Sequence, residues 1–391
     1  MLSKTIVLAV LTVMVVSIFA AGGVTVTEKV SLVILPGSMS GGWNTSYVDY
    51  LLSIIEEQAL QLGRFRLFPR ADLQRIMKER NMSVFGISDA INIGKLGGSK
   101  YAILLTLTEL SATWSRESKS YEATSRYTIK LYDIENGELL ASKTMKSYGS
   151  SDKTSQQAIK DAIESTASSI WLELREIFKL EAYVTSMNGN IVVLAGVDPK
   201  LVQKDVIFEI ETSTGGVGYV KVTGYNKTDG TVITKFMYGE RPEKYDVATE
   251  YPTTGFHVGY GVSTFSGLFG LAVTVWTDGS VSKIPSSAYA TVEAFLDFVD
   301  DYSPIYIDVG TGFKFLEVGR VGVRVNGGLS MFALYNSDKD DFDVMFDGVF
   351  VNGMLTYEFN PSSIIYVSIS YPLYFGEREL SELNIQFGIN F

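Results

Sequence analysis

From residue 254 to the end of the chain, hydrophobic and polar positions alternate with a period of two. Eight segments carry the pattern. Phe256, Val258, Tyr260 and Val262 alternate with His257, Gly259, Gly261 and Ser263, and a second segment near 269–276 has Phe269, Leu271, Val273 and Val275. Ala290, Val292, Ala294, Leu296 and Phe298 mark the third, and Ile305, Ile307, Val309, Phe313 and Phe315 the fourth. Val321, Val323, Val325, Leu329 and Met331 mark the fifth, and Val349, Val351, Leu355, Tyr357 and Phe359 the sixth. The seventh runs through Ile365, Val367, Ile369, Tyr371 and Leu373, and the eighth through Leu383, Ile385, Phe387, Ile389 and Phe391. Successive side chains of a strand point to opposite faces, so each segment has one apolar face and one face of Gly, Ser, Asn or charge. Each is close to the ~9–11 residues that a tilted membrane strand needs. The pattern predicts an eight-stranded antiparallel transmembrane β-barrel over 252–391, apolar outward and polar inward. A soluble barrel or sandwich, with the apolar face turned inward, is the alternative. The small polar face favours the membrane form, because a solvated face is usually rich in Lys and other long side chains. Eight strands enclose a lumen wide enough only for their own side chains, which makes such a barrel an anchor and not a pore. Outward connections are expected to carry the acids, and the 277–288 connection is longer than an inward turn usually is.

Residues 24–251 follow a different pattern. Val30 to Leu35 is a buried-strand run ended by Pro36, and Val48, Leu51, Leu52, Ile55, Ala59 and Leu62 recur at helical spacing. Phe65 to Phe68 reads as a strand, with short helices around Leu73, Ile76 and Met77 and around Ile91 and Leu96. Strands are expected at about 101–110, 121–134 and 138–147, followed by one long helix from Ile159 to Ile177. The order is β-α-β-α-α-β-β-β-α, which predicts a three-layer-type α/β domain over 24–178. Val206 to Ile210, Val217 to Val220 and the end at Tyr245-Asp246 resemble the small β-barrel module of flagellar and related envelope proteins, which implies a small all-β module over 179–251, and Gly215-Gly216-Val217-Gly218 reads as a hairpin turn. The whole chain is therefore expected to be a multi-domain α+β protein.

Two further resemblances attach to these residues. The alternation from Leu383 through Ile385, Phe387 and Ile389 to a terminal Phe391 resembles the closing strand of bacterial outer-membrane β-barrels, where it implies a signal read by the barrel-insertion machinery. The Val30–Pro36 strand, Arg70 with Leu73 and Glu79, the run Gly94 to Tyr101 and the turn Asp133 to Leu139 resemble the curli production assembly/transport (secretion channel) family. The TolB amino-terminal domain and flagellar outer-membrane-associated proteins are similar in general fold. The resemblance covers residues 24–178 and implies ring formation or partner binding through the α/β domain. Channel-forming members carry a lipidated cysteine and insert hairpins from that domain. This chain has no Cys, and Arg116-Glu117-Ser118-Lys119 is too polar to cross lipid.

Composition narrows the remaining possibilities. Lys4, an apolar run from Thr5 to Phe19 and the small residues Ala20 to Gly23 read as a secretory signal peptide over 1–22. An uncleaved anchor helix is the rival, but the run is shorter than the ~20 residues a span needs. The absence of Cys removes disulfides and thiolate chemistry. Residues 252–391 hold 16 of the 44 acids and 6 of the 33 bases, an acidic balance that argues against nucleic acid as a partner. His257, the only His, reads as a lumenal hydrogen-bonding group, since one His and no Cys assemble neither a triad nor a metal cluster. Gly94-Lys95 lacks the remainder of a phosphate-binding loop. Asp338, Asp340, Asp341 and Asp343 are the one metal-binding candidate, without the Gly and distal Glu of an EF-hand loop, and a solvated acidic loop is the favoured reading. No catalytic residue and no cofactor are expected. The expected protein is a non-enzymatic outer-membrane anchor whose domain over 24–251 lies in the periplasm and acts in assembly or scaffolding of an export or appendage system. Its expected partners are outer-membrane lipid, the insertion machinery and other envelope proteins, further copies of this chain included. The alternatives are a subunit of an oligomeric secretion channel and a soluble periplasmic binding protein.

Overall fold

The computed structural model describes residues 23–39, 45–79, 85–265, 268–281, 284–296, 302–336, 341–374 and 383–390. Residues 1–22, read above as a signal peptide, and Phe391 lie outside them. The described residues fall into two compact units that divide at Pro252 and Thr253.

The first unit opens with β1 (Val24–Val26) and β2 (Val30–Met39), then α1 (Thr45–Leu62), β3 (Phe65–Leu67), α2 (Arg70–Glu79) and α3 (Ile87–Leu96). Next come β4 (Tyr101–Ser115), β5 (Ser120–Asp133), β6 (Leu139–Ser151), α4 (Ser155–Glu164) and α5 (Ala167–Ile177). Five strands form a mixed sheet in the order β3-β2-β4-β5-β6. Leu32, Ile34 and Ile103 share a core with α1, α4 and α5 residues such as Leu51, Ile55, Ile163 and Leu174. Val33, Leu35, Ala102 and Leu104 point the other way and pack with Leu73 of α2 and Ile93 of α3. Apolar side chains on both faces explain why β2 reads as a continuous hydrophobic run and not as an alternating one.

Two local expectations are corrected. Pro36 does not end β2, which continues to Met39 and pairs Pro36 with Leu105 of β4. The Pro36 carbonyl accepts from the Phe85 amide, so this residue's backbone polar side faces away from β4 and the missing N–H costs no ladder bond. The long helix over 159–177 is two helices, broken at Ser165 and Thr166. Both hydroxyls bond back to the carbonyls three residues earlier, Ser165 to Ala162 at 2.9 Å and Thr166 to Ile163 at 2.6 Å, and so compete with the helical ladder.

The rest of this unit is all β. It comprises β7 (Phe178–Asn188), β8 (Ile191–Ala195), β9 (Ile207–Glu211), β10 (Val217–Asn226), β11 (Thr231–Gly239) and β12 (Val247–Tyr251). These six close on themselves in the order β7-β12-β9-β10-β11-β8, with β1 added in parallel to β7. The expected hairpin turn forms between β9 and β10, where Gly215 carries φ +87° and its amide donates to the Thr212 carbonyl. The small barrel and the α/β sheet share one core, through Phe178, Leu180, Ile210 and Val220. Arg64 and Arg175, both buried, converge there on Glu250. Arg64 Nη1 lies 2.6 Å and Arg175 Nη2 2.7 Å from its carboxylate, and the Leu180 amide donates to it at 3.1 Å.

The second unit is built from β13 (Phe256–Phe265), β14 (Leu268–Thr277), β15 (Gly279–Val281), β16 (Ile284–Leu296), β17 (Tyr302–Val318), β18 (Val321–Asn336), β19 (Asp341–Asn360), β20 (Ser363–Tyr374) and β21 (Asn384–Asn390). Among the described residues, eight of these form a closed antiparallel barrel in the order β13-β14-β16-β17-β18-β19-β20-β21. Closure is made by β13 with β21, from Gly259 opposite Asn390 to Thr264 opposite Ile385. The long 277–288 connection is a hairpin arm: β15 pairs Gly279 with Ser286 and Val281 with Ile284. It extends the wall instead of forming an oversized loop.

Candidate membrane-facing surface and barrel lumen

Inner and outer positions of the closed barrel follow the alternation of the sequence. Val262, Val292, Val309, Leu329, Val351, Leu355, Val367 and Ile369 are all exposed on the outer wall, each roughly 40–50% accessible. The closing strand presents Leu383, Ile385 and Phe387 outward, with Ile389 half-buried on the same side. Between them, Asn384, Gln386 and Asn390 are buried in the lumen. The polarity of an ordinary soluble domain is thereby inverted: aliphatic residues cover the outside and amides, hydroxyls and charges fill the inside.

Aromatic residues gather at one rim. Phe313 and Phe315 meet edge to face at 6.4 Å, and Tyr357 and Phe359 at 5.3 Å. A bulge between Lys314 and Leu316 breaks the alternation here, so that Phe315 and Leu316 are both exposed. Tyr306 shares the lumenal face of Asp308 and packs edge-on against buried Phe295 at 5.6 Å.

The lumen is closed by side chains. Trp276, Tyr289, Phe350, Met354, Ile364 and Tyr366 form a buried cluster across it. The Tyr366 ring occupies the space beside Gly259 and Gly388, where any Cβ would collide with it. Gln386 donates to Thr274 Oγ1 at 2.5 Å and to the Tyr366 hydroxyl at 3.0 Å, and Ser368 donates to Gln386 Oε1 at 3.1 Å. Asn326 donates to Asn352 at 2.9 Å, and Thr274 and Thr291 share a bond at 3.0 Å.

Charges group at the two ends of this interior. Toward the rim holding the 277–288 arm, Asp278 bonds Arg324 and lies 3.4 Å from His257 Nε2. His257 stacks on Trp276 at 5.2 Å, and its Nδ1 meets the Asn390 amide at 2.9 Å. This is the lumenal hydrogen-bonding role expected for it. Lys314 of the same rim reaches Glu317 at 2.9 Å and Glu358 at 3.6 Å. Toward the other rim lie Glu293, bonded by the Asn384 amide, and Asp308, bonded by Ser330 Oγ at 2.6 Å.

Asp338 and Asp340 of the metal candidate lie outside the described residues. Asp341 and Asp343 lie in β19, opposite Asn336 and Leu334. Among the described residues, no group of three or more His, Asp or Glu side chains is placed to hold a metal ion. Sequence reasoning missed the Asp278–Arg324 and Lys314–Glu358 pairs. The signal was present, since Lys314, Arg324 and Glu358 all stand at polar-parity positions inside strands.

No known protein-family model matches this chain, and no functionally curated protein is detectably similar to it. Solved structures with partial likeness include the lipoprotein GNA1162 of Neisseria meningitidis, at 16% identity over 36% of this chain and 97% of that one, with a TM-score of 0.28. Neisserial surface protein A is similar at 12% identity over 35% and 95%, with a TM-score of 0.27. Ail, the attachment invasion locus protein of Yersinia pestis, is similar at 11% identity over 34% and 93%, with a TM-score of 0.22. Likenesses this distant assign neither a family nor an activity.

Proposed function

We propose that residues 256–390 anchor this protein in an outer membrane, and that residues 23–252 work at its periplasmic side as a non-catalytic component of an export or appendage assembly. The anchoring half of this reading rests on one observation: the closed barrel is apolar outside and hydrogen-bonded inside. In water that arrangement exposes a continuous aliphatic belt and buries charge. In lipid every backbone group is paired around the ring and the belt meets acyl chains. Strand parity is compatible with the periplasmic placement, because an even number of strands returns both ends of the barrel to the same rim. The assembly role draws on the resemblance of residues 24–178 to the curli assembly/transport family and is the finer part of the proposal. The filled lumen supports an anchor over a conduit, so conduction would need a passage formed between several chains.

Folded membrane barrels migrate faster than their boiled forms on electrophoresis, and this protein is expected to do so. It is also expected to resist carbonate extraction. Heat-independent migration together with release by carbonate overturns the anchor. A ring-sized mass in mild detergent would replace the scaffold reading with the channel reading, and a monomer retains it.

A further inference from the structure

Among the described residues, two carboxylates at one end of the lumen meet no cation. Glu293 of β16 and Asp308 of β17 are 2% and 7% exposed, and neither belongs to a salt bridge among the described residues, whereas the opposite rim pairs its acids with Arg324 and Lys314. The register sets them close together. Glu293 stands opposite Tyr306 and Asp308 opposite Thr291, which makes the two acids diagonal neighbours on the inner face, at about 7–8 Å between Cα atoms.

The groups around them are amides and hydroxyls, among them Ser330 Oγ, which donates to Asp308 at 2.6 Å. Asn384, across the lumen on β21, donates its amide N–H to Glu293, and its buried Oδ1 is left with no hydrogen-bond partner. Turning the amide over would only set Oδ1 against the carboxylate. The Ser263 hydroxyl lies beside Glu293 and the Ser370 hydroxyl beside Asp308, both buried and without a bond of good geometry. Removing two carboxylates from water without a counter-charge is costly, and the unpaired Oδ1 of the residue bonded to Glu293 adds to that cost. A hard cation with oxygen preference meets all of these demands, and two carboxylates balance a divalent one.

We propose that this end of the lumen binds one divalent cation of the calcium type, held by Glu293 and Asp308 with Asn384 Oδ1. The ion ties β21 across the lumen to β16 and β17, so binding strengthens the wall at the strand that closes the barrel. The site depends on the observed lumen and not on the role proposed for residues 23–252.

The test uses the full chain folded in detergent micelles. Terbium serves as the probe, excited through Tyr306, which stands opposite Glu293, and through Tyr289, with calcium as competitor. The barrel's thermal midpoint is read in calcium chloride and in chelator. Calcium is expected to raise the midpoint and to displace terbium. Glu293→Gln and Asp308→Asn are each expected to weaken terbium binding at least tenfold, while the double change Asp338→Asn with Asp341→Asn leaves it unchanged. A wild-type midpoint indifferent to calcium overturns the proposal. Terbium binding that survives Glu293→Gln, or vanishes with the Asp338 and Asp341 changes, also overturns it. Should a lumenal variant fail to fold, the calcium response of the wild-type chain decides alone. A barrel that stays heat-modifiable yet calcium-blind refutes the site without touching the membrane assignment.

Discussion

Glu250 is the single side chain on which the first unit most depends. It is 1% exposed and shared by two guanidinium groups. Glu250→Ala leaves Arg64 and Arg175 buried with like charges facing each other, and the expected loss is about 3–5 kcal/mol in urea unfolding. Replacing all three by hydrophobic residues of similar volume is expected to lose far less, because a buried ion group repays little more than its own desolvation. The triad was not legible beforehand. Its members stand 186 positions apart at the extremes, and nothing near Arg64 in sequence signals a partner on the last strand of the small barrel. Glu173 of α5 behaves differently. Burial raises its pKa above the ordinary carboxylate value, with Glu176 adding to the rise and Lys143 opposing it. The unfolded chain therefore gives up this proton at lower pH than the folded one. The associated stability is full below the usual Glu range and is lost as pH climbs through the raised value. Glu173→Gln is expected to raise the thermal midpoint at pH 7, with the gain disappearing toward pH 4.

At the level of elements, the barrel strands were readable because a closed wall with an apolar outside and a polar lumen enforces a strict period of two that local sequence reports directly. What parity could not report was the break in it. Phe315 sits in a bulge, and Tyr306 turns inward although its chemistry suits the rim; both depend on pairing with β18 and β16, which no local window contains. The same holds for Pro36, which suits β2 only because its missing donor faces away from β4. Outer and inner substitutions are expected to differ in kind. Ile369→Arg on the outer wall should cost ~2–4 kcal/mol in lipid vesicles if it lies near mid-membrane. Ser368→Ala, one residue away on the lumenal side, loses one hydrogen bond to Gln386 and should cost about 1 kcal/mol. In the closing strand, Gly388→Val must displace the Tyr366 ring. The expected cost is ~1–3 kcal/mol, measured as a loss of the fast-migrating band, and Tyr366→Ala in the same chain should restore part of it.

The molecule as a whole joins two kinds of stability. Residues 23–252 are held by an apolar core, whereas residues 256–390 keep their hydrogen bonds inside and their aliphatic surface outside. Denaturation in detergent is accordingly expected in two steps, the first unit melting while the barrel persists. Glu250→Ala should move only the first step and Ile369→Arg only the second; a single transition shifted by both would contradict the division at Pro252. The alternation of the eight barrel strands was visible from spacing alone, whereas the α/β sheet and the six-stranded barrel prove to be one compact unit. Their shared core was not legible, because it is made by residues whose neighbours are chosen in three dimensions.

The placement of β1 sets a schedule for acquiring this structure. Val24 pairs with Phe178, and the ring that β1 joins is finished only when Val247 to Tyr251 arrive. A chain delivered amino-terminus first releases this short apolar ribbon long before its mate exists, and a loop of that length is closed slowly against its entropy. Until Phe178 to Leu180 emerge, the earliest residues of the unit wait as a loose sticky stretch, so the interval before that pairing is when they are most open to proteases and to wrong neighbours.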